Sequence, residues 1–336
     1  MASLKDVAVH AGVSVSTASL ALREDPAVKE VTRQRIRRVA DELGYRPNGI
    51  ARDLKVKKTD MIAVLLHDLG GPFYSELLRG VQDRSHQRGF TAIVACSAKG
   101  KSSAMTRLLL ENRVAGAIIL DPVIDESEIS SVASEDLPIV VLDREIQAPH
   151  VYAVSADHEG GAFKATTHLL DRGYRLIGFL GGPEDSFHSR MRFEGYRRAL
   201  SQAGVDFDGD LVCYGMFTED SGYDAGFRLF ANGRHPDAIF AANDEMAIGL
   251  LRSLEEQGLS VPDDVALVGF DDIRLTQYVS PALTTVRQPM YQLGSDAVEQ
   301  LFQILSGNAD IESVMLSTEL VIRQSSGVTP RSPIRG

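Results

Sequence analysis

Short, unbroken apolar runs that alternate with helical stretches make up most of the chain after residue 58. They fall into two series: Met61–His67, Phe90–Cys96, Gly116–Leu120 and Ile139–Leu142, then Leu176–Leu180, Ala238–Ala241 and Ala266–Gly269. Strands that are apolar along their whole length belong to parallel sheets covered by helices on both faces. Two such series in about 270 residues are too much chain for one sheet. We therefore predict an α/β fold in which two lobes each contain a parallel sheet.

The first 45 residues have an all-helical pattern instead. Apolar residues at helical spacing predict three short helices, the first with a shared face of Leu4, Val7, Ala8 and Ala11. Ser14 is predicted to cap the second helix, and Thr32 the third. Two short helices joined by a turn at Gly12 and braced by a third are typical of a helix-turn-helix.

In a helix-turn-helix, the second helix enters the DNA major groove with its N-terminal residues leading. The predicted base-contacting side chains are therefore Val15, Ser16 and Thr17, with Leu20 one turn further on.

Charge is distributed unevenly between these two parts. Residues 1–58 contain 12 basic and 7 acidic residues, a net charge of +5, whereas the whole chain has a net charge of −11. A basic head on an acidic body suggests that the head binds a polyanion. The alternative is a helical cap that happens to be basic, and charge alone does not decide between them.

Several classes of protein are disfavoured by what the sequence lacks. No apolar run reaches the roughly 20 residues of a membrane helix, and Met1–Asp6 lacks the apolar stretch of a secretory signal, so we expect a cytoplasmic protein. Cys96 and Cys213 are expected to be buried thiols rather than a disulfide. The motifs of serine hydrolases, phosphate loops, dinucleotide sites and zinc proteases are missing. His158 and Glu159 are predicted to be a surface pair, and neither a metal nor a cofactor is expected.

The head and the segment after it contain a distinctive set of residues: Leu4–Ala8, Ala11–Ser14, Thr17–Ser19, Gly44–Asn48, Ala51, Arg52 and Leu54. In this set the chain resembles the LacI/GalR (lac repressor) family of bacterial transcription regulators. The resemblance implies a helix-turn-helix domain with a hinge helix over residues 1–58 and an effector-binding and dimerisation core over 59–336. That core would be periplasmic-binding-protein-like, with the chain crossing between its lobes near Asp157, Gln288 and Glu319.

The connector Asn48–Lys58 is implied to fold as the hinge helix on DNA, with Leu54 wedged into the minor groove. The alternative is a solvated interdomain linker, which a basic segment containing Gly49 fits nearly as well. Leu20 stands where family members commonly have arginine, so the operator sequence cannot be inferred from relatives.

Residues that follow the predicted strands define a candidate cleft, because ligands of open parallel sheets bind beyond the carboxyl ends of the strands. In chain order they are Asp68, Phe73, Ser97, Asp121, Asp143, Gly181, Gly182, Arg190, Arg192, Asn243, Asp244, Asp271 and Asp272. Carboxylates and arginine take paired hydrogen bonds from neighbouring hydroxyl groups, and aromatic rings cover C–H faces, so this set suits a polyhydroxylated ligand.

The resemblance selects the effector-binding residues within this region. It implies Arg192, Phe217, Asn243 and Asp271, and it places Phe73 and His188 where some relatives touch their ligands; Asp143 follows from its position after the fourth strand. Asn243 and Asp143 could equally cap helices, and Phe217 could belong to the core. Of Arg190 and Arg192, which are two residues apart, one is expected to enter the cleft.

Three functions account for these features to different extents. An effector-responsive regulator explains both the basic head and the acidic cleft, a solute-binding protein does not need the head, and a sugar-converting enzyme is supported by the acids alone. We predict a repressor that binds palindromic operator DNA as a homodimer, since the tail Arg323–Gly336 has no leucine heptads for a tetramer. A phosphocarrier protein as co-effector, as in carbon-catabolite regulators of this family, is left open.

Overall fold

The computed structural model describes residues 2–45, 59–96, 109, 113–122, 124–231, 235–308 and 311–327. They form two compact units, Met1–Thr59 and Asp60–Gly336. The predicted hinge Asn48–Lys58, with Leu54, lies outside the described residues, as does Ser97.

The first unit has three helices among its described residues: α1 (Leu4–His10), α2 (Val15–Leu22) and α3 (Glu30–Glu42). As predicted, Ser14 caps α2, because its hydroxyl oxygen accepts a hydrogen bond from the Thr17 backbone N–H at 3.0 Å. The apolar faces of the three helices pack into one core that includes Val7, Ala18 and Ile36.

The prediction that Thr32 caps α3 is wrong. The helix begins two residues earlier, at Glu30, and Lys29 occupies the cap position without a side-chain cap bond. The Glu30 carboxylate accepts hydrogen bonds from Arg33 and Gln34 at 2.5 and 3.0 Å. A carboxylate in the first turn is also favoured by the helix dipole, so Glu30 stabilises the earlier start.

The second unit contains the alternating strands and helices. In chain order its described elements are β1 (Met61–Leu66), α4 (Pro72–Arg88), β2 (Thr91–Cys96), β3 (Ala117–Leu120), α5 (Glu126–Val132), β4 (Ile139–Leu142), β5 (Val151–Ala156), α6 (His158–Asp171), β6 (Ile177–Gly181), α7 (Phe187–Gln202), β7 (Val212–Tyr214), α8 (Glu219–Phe230), β8 (Ala238–Ala241), α9 (Asp244–Glu256), β9 (Ala266–Asp271), β10 (Thr284–Arg287), α10 (Met290–Leu305), β11 (Val314–Leu316) and β12 (Glu319–Val321).

These strands form two six-stranded sheets. The sheet of lobe 1 has the order β11-β5-β4-β3-β1-β2 and all its pairings are parallel. The sheet of lobe 2 has the order β12-β10-β9-β8-β6-β7 and is parallel except for the β10–β12 pair. The predicted α/β fold with two parallel-sheet lobes is confirmed.

Both faces of the lobe 1 sheet are covered by apolar side chains. Ile62, Val64 and Leu66 of β1 join one buried cluster, while Ala63 and Leu65 join another on the opposite face. Alternate residues of a strand point to opposite faces, so a strand covered on both sides must be apolar throughout, which is the pattern seen in the sequence.

The chain passes between the two sheets between β5 and β6, between β10 and β11, and between β11 and β12. Helix α10 packs against α4 in lobe 1, whereas α6 packs against α7 in lobe 2. The carboxyl ends of β4 and β5 in lobe 1 thereby come close to those of β6, β8 and β9 in lobe 2.

Five described strands were not predicted: β5, β7, β10, β11 and β12. Each carries polar or half-exposed residues, such as Tyr152 and Ser155 in β5 or Thr284 and Thr285 in β10, so none reads as an unbroken apolar run. Among the described residues, no helix combines the length and apolar character needed to span a bilayer.

Candidate functional site

Asp143 forms the lobe 1 side of a buried polar cluster. It follows β4 with a left-handed φ of 49°, and its Oδ1 accepts a hydrogen bond from the Ala156 backbone N–H at 2.7 Å. The same oxygen lies 3.1 Å from Nε2 of His158, and Oδ2 lies 3.4 Å from Nε2 of His188. Burial alone would raise the pKa of Asp143, but the two imidazoles hold it below its usual range. Asp143 is therefore an ionised carboxylate, and it caps none of the described helices.

Arg192, on α7, forms the lobe 2 side of the cluster. It is 4% exposed, and its guanidinium donates a hydrogen bond to the carbonyl of Ala242 and lies 3.9 Å from the centre of the Phe270 ring. Its Nη2 is 3.4 Å from Oδ1 of Asp271 and 3.4 Å from Nδ1 of His158. Arg190 is exposed and donates to the carbonyl of Asp185, so Arg192 is the arginine of this pair that enters the cleft.

His158 links these two sides. Burial lowers its pKa to about 4, although the Asp143 carboxylate acts in the opposite direction, so the imidazole is neutral at pH 7. A neutral imidazole has one donor and one acceptor nitrogen. We assign the acceptor to Nδ1, which faces Arg192, and the donor to Nε2, which faces Asp143. A polar chain therefore runs from Asp143 through His158 and Arg192 to Asp271.

Asp271, at the end of β9, has a φ of 117° and is 7% exposed. Burial raises its pKa, and the Arg192 guanidinium only partly offsets this effect. Gln288 donates its side-chain amide to the carboxylate. The neighbouring Asp244 is used internally, because its two oxygens accept from the Thr285 hydroxyl at 2.6 Å and the Ile273 backbone N–H at 2.9 Å.

Phe217 is the aromatic residue of the lobe 2 side. Its φ is 60°, and its ring lies where a Cβ on Gly182 would come within 2.1 Å of it, so a larger residue at 182 would displace the ring. Asn243 caps α9 by accepting from the Met246 backbone N–H at 3.0 Å, and its amide donates to the carbonyl of Phe217 at 3.0 Å. Asn243 is thus a helix cap that also positions the aromatic ring.

Phe73 lies on lobe 1, in the first turn of α4, and is half-buried with an edge-to-face contact to Tyr74 at 5.3 Å. Facing this helix start is Glu245 of lobe 2, whose Oε2 would lie 3.4 Å from a Cβ on Gly71. The structure thus brings Asp143, His188, Arg192 and Asp271 into one polar cluster, places Phe217 and Asn243 together, and leaves Phe73 with Tyr74.

Sequence reasoning missed two members of the cluster. His158 was predicted to lie on the surface, and this is wrong, since its side chain is 2% exposed; only Glu159 lies at the surface, paired with Arg198. Gln288 was predicted to lie at a crossover between the lobes and not in the site. Both follow strands that were not predicted, β5 and β10, so the rule that selects residues after strand ends could not reach them.

Asp143, His158 and His188 also resemble a metal-binding set. Within the described part of the chain, they are the group of possible ligands whose donor atoms lie within 4.8 Å of one another. A metal-bound imidazole, however, donates its other ring N–H to an acceptor, whereas Nδ1 of His158 faces the Arg192 guanidinium, which is itself a donor. The arrangement fits a chain of polar contacts better than a metal centre.

The predicted DNA-binding residues of the head lie in and after the first turn of α2. Val15 is 43% exposed and Ser16 is exposed, so both are available to a partner. Thr17 is half-buried with its hydroxyl 2.8 Å from that of Ser14, and Leu20 packs partly against the core of the head. Leu54 lies outside the described residues.

Comparisons with known proteins agree with this architecture. Residues 3–48 match the family of bacterial regulatory proteins known as the lacI family, and residues 166–326 match the periplasmic binding protein-like domain. The HTH-type transcriptional repressor PurR of Photobacterium profundum is 34% identical over 330 residues, which cover 97% of this chain and 98% of that protein.

Two solved structures are similar over almost the whole chain. The lac repressor dimer bound to operator and the anti-inducer ONPF has a TM-score of 0.85 and 29% identity, covering 97% of this chain and 99% of that chain. A complex of the transcriptional regulator CelR with cellobiose has a TM-score of 0.74 and 32% identity, covering 97% and 100%.

Proposed function

The chain belongs to the LacI family of bacterial transcription regulators, and on that premise we propose that it represses transcription by binding operator DNA under the control of a sugar-type effector held between its two lobes. The observation that carries the effector site is the polar chain from Asp143 of lobe 1 through His158 to Arg192 and Asp271 of lobe 2. A ligand that bonds to both ends must bridge the lobes.

The head supports the DNA-binding part. Val15 and Ser16 stand exposed at the start of the second helix, the position from which a helix-turn-helix reads base edges. The Asn48–Lys58 segment would follow the head into the minor groove, with Leu54 as its apolar wedge. The lac repressor of the similar structure is bound to operator as a dimer, and we expect this chain to bind its operator in the same state.

The cleft supports control by a small molecule. A ligand that contacts Asp143 and Asp271 together favours the geometry in which the lobes are closed, and it shifts the population towards that state. Coupling of this kind is typically about 1–3 kcal/mol, or several-fold to a hundred-fold in operator affinity. Phe217 would cover one face of the ligand and Phe73 another, while Asn243 holds Phe217 in place.

Other partners and activities have less support. The curated relatives are transcription regulators, which favours this function over a sugar-converting enzyme. The comparisons give no support to a phosphocarrier co-effector. A protein that acts on chromosomal operators is expected to work in the cytoplasm.

The test uses the full-length chain and operator DNA selected from a random pool. Wild-type protein should select a palindromic site, and a member of a sugar panel should change its affinity for that site. Arg192→Ala should lose the effector response and keep effector-free DNA binding. Arg190→Ala is the matched control, because Arg190 is exposed and should leave the response intact.

Two outcomes would contradict the proposal. Selection of no preferred DNA sequence would remove the operator-binding function. An unchanged effector response in Arg192→Ala would remove the cleft as the effector site.

A further inference from the structure

We propose that the cleft accepts an uncharged, hydroxyl-bearing effector and excludes the phosphorylated forms of the same sugars. This inference rests on the proposed function, since it specifies the chemical class of ligand for that site. Three observations support it: the existing contacts of the Arg192 guanidinium, the acidic residues at helix starts around the cleft, and the buried polar atoms that have no partner.

A phosphate bound in the cleft would need a cation. Arg192 is the only buried lysine or arginine among the residues that the structure describes. Its guanidinium is already engaged by the carbonyl of Ala242, by Asp271 and by His158. Only Nε of this cation has no partner, so a phosphate that takes more than one hydrogen bond from it must displace the Asp271 carboxylate and would then lie against that carboxylate.

Helix starts are the usual phosphate-binding positions in parallel α/β folds. Helix α6 begins at Asp157, whose Oδ1 already accepts from the Gly160 backbone N–H at 2.8 Å. Helix α9 begins behind Asn243 and has Asp244 and Glu245 in its first turn. Helix α8 likewise has two acids in its first turn. Carboxylates are therefore present at these three helix starts, where they disfavour a bound phosphate.

The starts of α4 and α7 are no more favourable. Helix α4 begins with Pro72, which has no N–H to donate, and it faces Glu245. Helix α7 has no side-chain cap, but Glu184 and Asp185 precede it, and the Asp143 carboxylate faces His188 in its first turn. A phosphate at α7 would therefore meet the charge of Asp143.

The pKa values of acids in lobe 2 also indicate that negative charge is disfavoured there. Burial raises the pKa of Glu245 to about 7, and the neighbouring Asp271 and Glu219 add to this rise. Burial and the nearby Asp271 also raise the pKa of Asp244. Acids that resist ionisation indicate a site where a further negative charge is unfavourable.

The cleft also contains buried donors and acceptors that a ligand could satisfy. Buried polar atoms without a hydrogen-bond partner include Oδ2 of Asp143, Nε of Arg192 and Oε1 of Gln288. Two of these are acceptors and one is a donor. A hydroxyl group both donates and accepts, so a polyol can satisfy all three, whereas the ionised oxygens of a phosphate only accept.

The experiment compares matched neutral and phosphorylated probes on the full-length protein. The probes are glucose with glucose 6-phosphate, ribose with ribose 5-phosphate, and inorganic phosphate alone, with binding measured by calorimetry at constant ionic strength. Wild type should bind each phosphorylated probe at least tenfold more weakly than its neutral partner, and it should not bind inorganic phosphate in the cleft. Phosphate binding that disappears in Arg192→Ala would overturn the inference.

A gain-of-binding variant tests the cause. Asp143→Asn leaves His188 and Arg192 in place without the facing charge, so its affinity for inorganic phosphate should rise at least tenfold. Asp271→Asn should have the same effect if the first variant does not fold. Asp185→Asn, an exposed acid near the same helix start, is the matched control and should not change phosphate binding. An unchanged phosphate affinity in both cleft variants would overturn the inference.

The same data separate this inference from the proposed function. Preference for a phosphorylated probe overturns the exclusion of phosphate while it keeps a sugar-responsive regulator. If no sugar binds, and the wild type still rejects phosphate while the variants gain it, the sugar class of the proposed function fails and the exclusion of phosphate stands.

Discussion

At the residue scale, the cleft is built from side chains held in an unusual backbone conformation. Asp143, Phe217 and Asp271 all have left-handed φ values although none is glycine, and each lies at or shortly after the end of a strand. Such residues cost of order 1–3 kcal/mol each and persist where the surrounding structure fixes them, often at functional sites. The sequence predicts these residues from their positions and from the resemblance, but it shows nothing of their backbone strain.

His158 allows a prediction about pH. Its pKa in the folded protein is about 4, below the ordinary value of 6.5, so the unfolded chain takes up a proton first as the pH falls. The contribution of His158 to stability is therefore complete above pH 6.5 and is lost as the pH falls towards 4. Between pH 6.5 and about pH 5, the free energy of unfolding of wild type should fall by about 2 kcal/mol more than that of His158→Gln.

Denaturant titrations at several pH values measure this difference. The comparison with His158→Gln is needed because the raised pKa values of Asp244 and Asp271 act in the opposite direction at low pH. His86→Gln, a change at an exposed histidine of α4, is the control and should behave like wild type. Parallel pH profiles for wild type and His158→Gln would show that the buried imidazole is not the cause.

At the element scale, the sequence was informative where one local interaction or one uniform pattern decides the structure. Unbroken apolar runs correspond to β1–β4, β6, β8 and β9, whereas strands with polar residues were not predicted. Because β5 and β10 were among these, the site residues His158 and Gln288 that follow them were also missed. Helix starts show the same limit. Ser14 caps α2 as predicted, but Thr32 does not cap α3, because Glu30 and its hydrogen bonds to Arg33 and Gln34 stabilise an earlier start.

These two residues form a matched pair for a stability test. Ser14→Ala removes the acceptor for the Thr17 backbone N–H and should destabilise the head by about 1 kcal/mol. Thr32→Ala lies inside α3, where alanine has the higher helix propensity, so it should change stability by less than about 0.5 kcal/mol. Hydrogen exchange of the α2 and α3 amides in the full chain measures both effects. Equal losses in the two variants would contradict the assignment of caps.

At the scale of the whole molecule, the two compact units carry opposite net charges. The basic head can approach DNA through long-range attraction, whereas the rest of the chain is acidic and gains nothing from lying on the phosphates. The two-lobed fold could be predicted because seven of its strands are apolar along most of their length and form two series along the chain. The contacts between the lobes could not be predicted, because those of His158 with Asp143 and Arg192 join residues that are distant in sequence.

We expect a dimer from the size of the head. A three-helix head places one short recognition helix in the major groove, which reads too few bases for a specific site, so two heads on half-sites about one helical turn apart are needed. A twofold dimer meets this requirement. We expect light scattering at micromolar concentration to show a dimer of the 36.6 kDa chain, and two chains to bind each palindromic operator. A stable monomer or a tetramer under these conditions would contradict this arrangement, and tight binding to an isolated half-site would show that one head is sufficient.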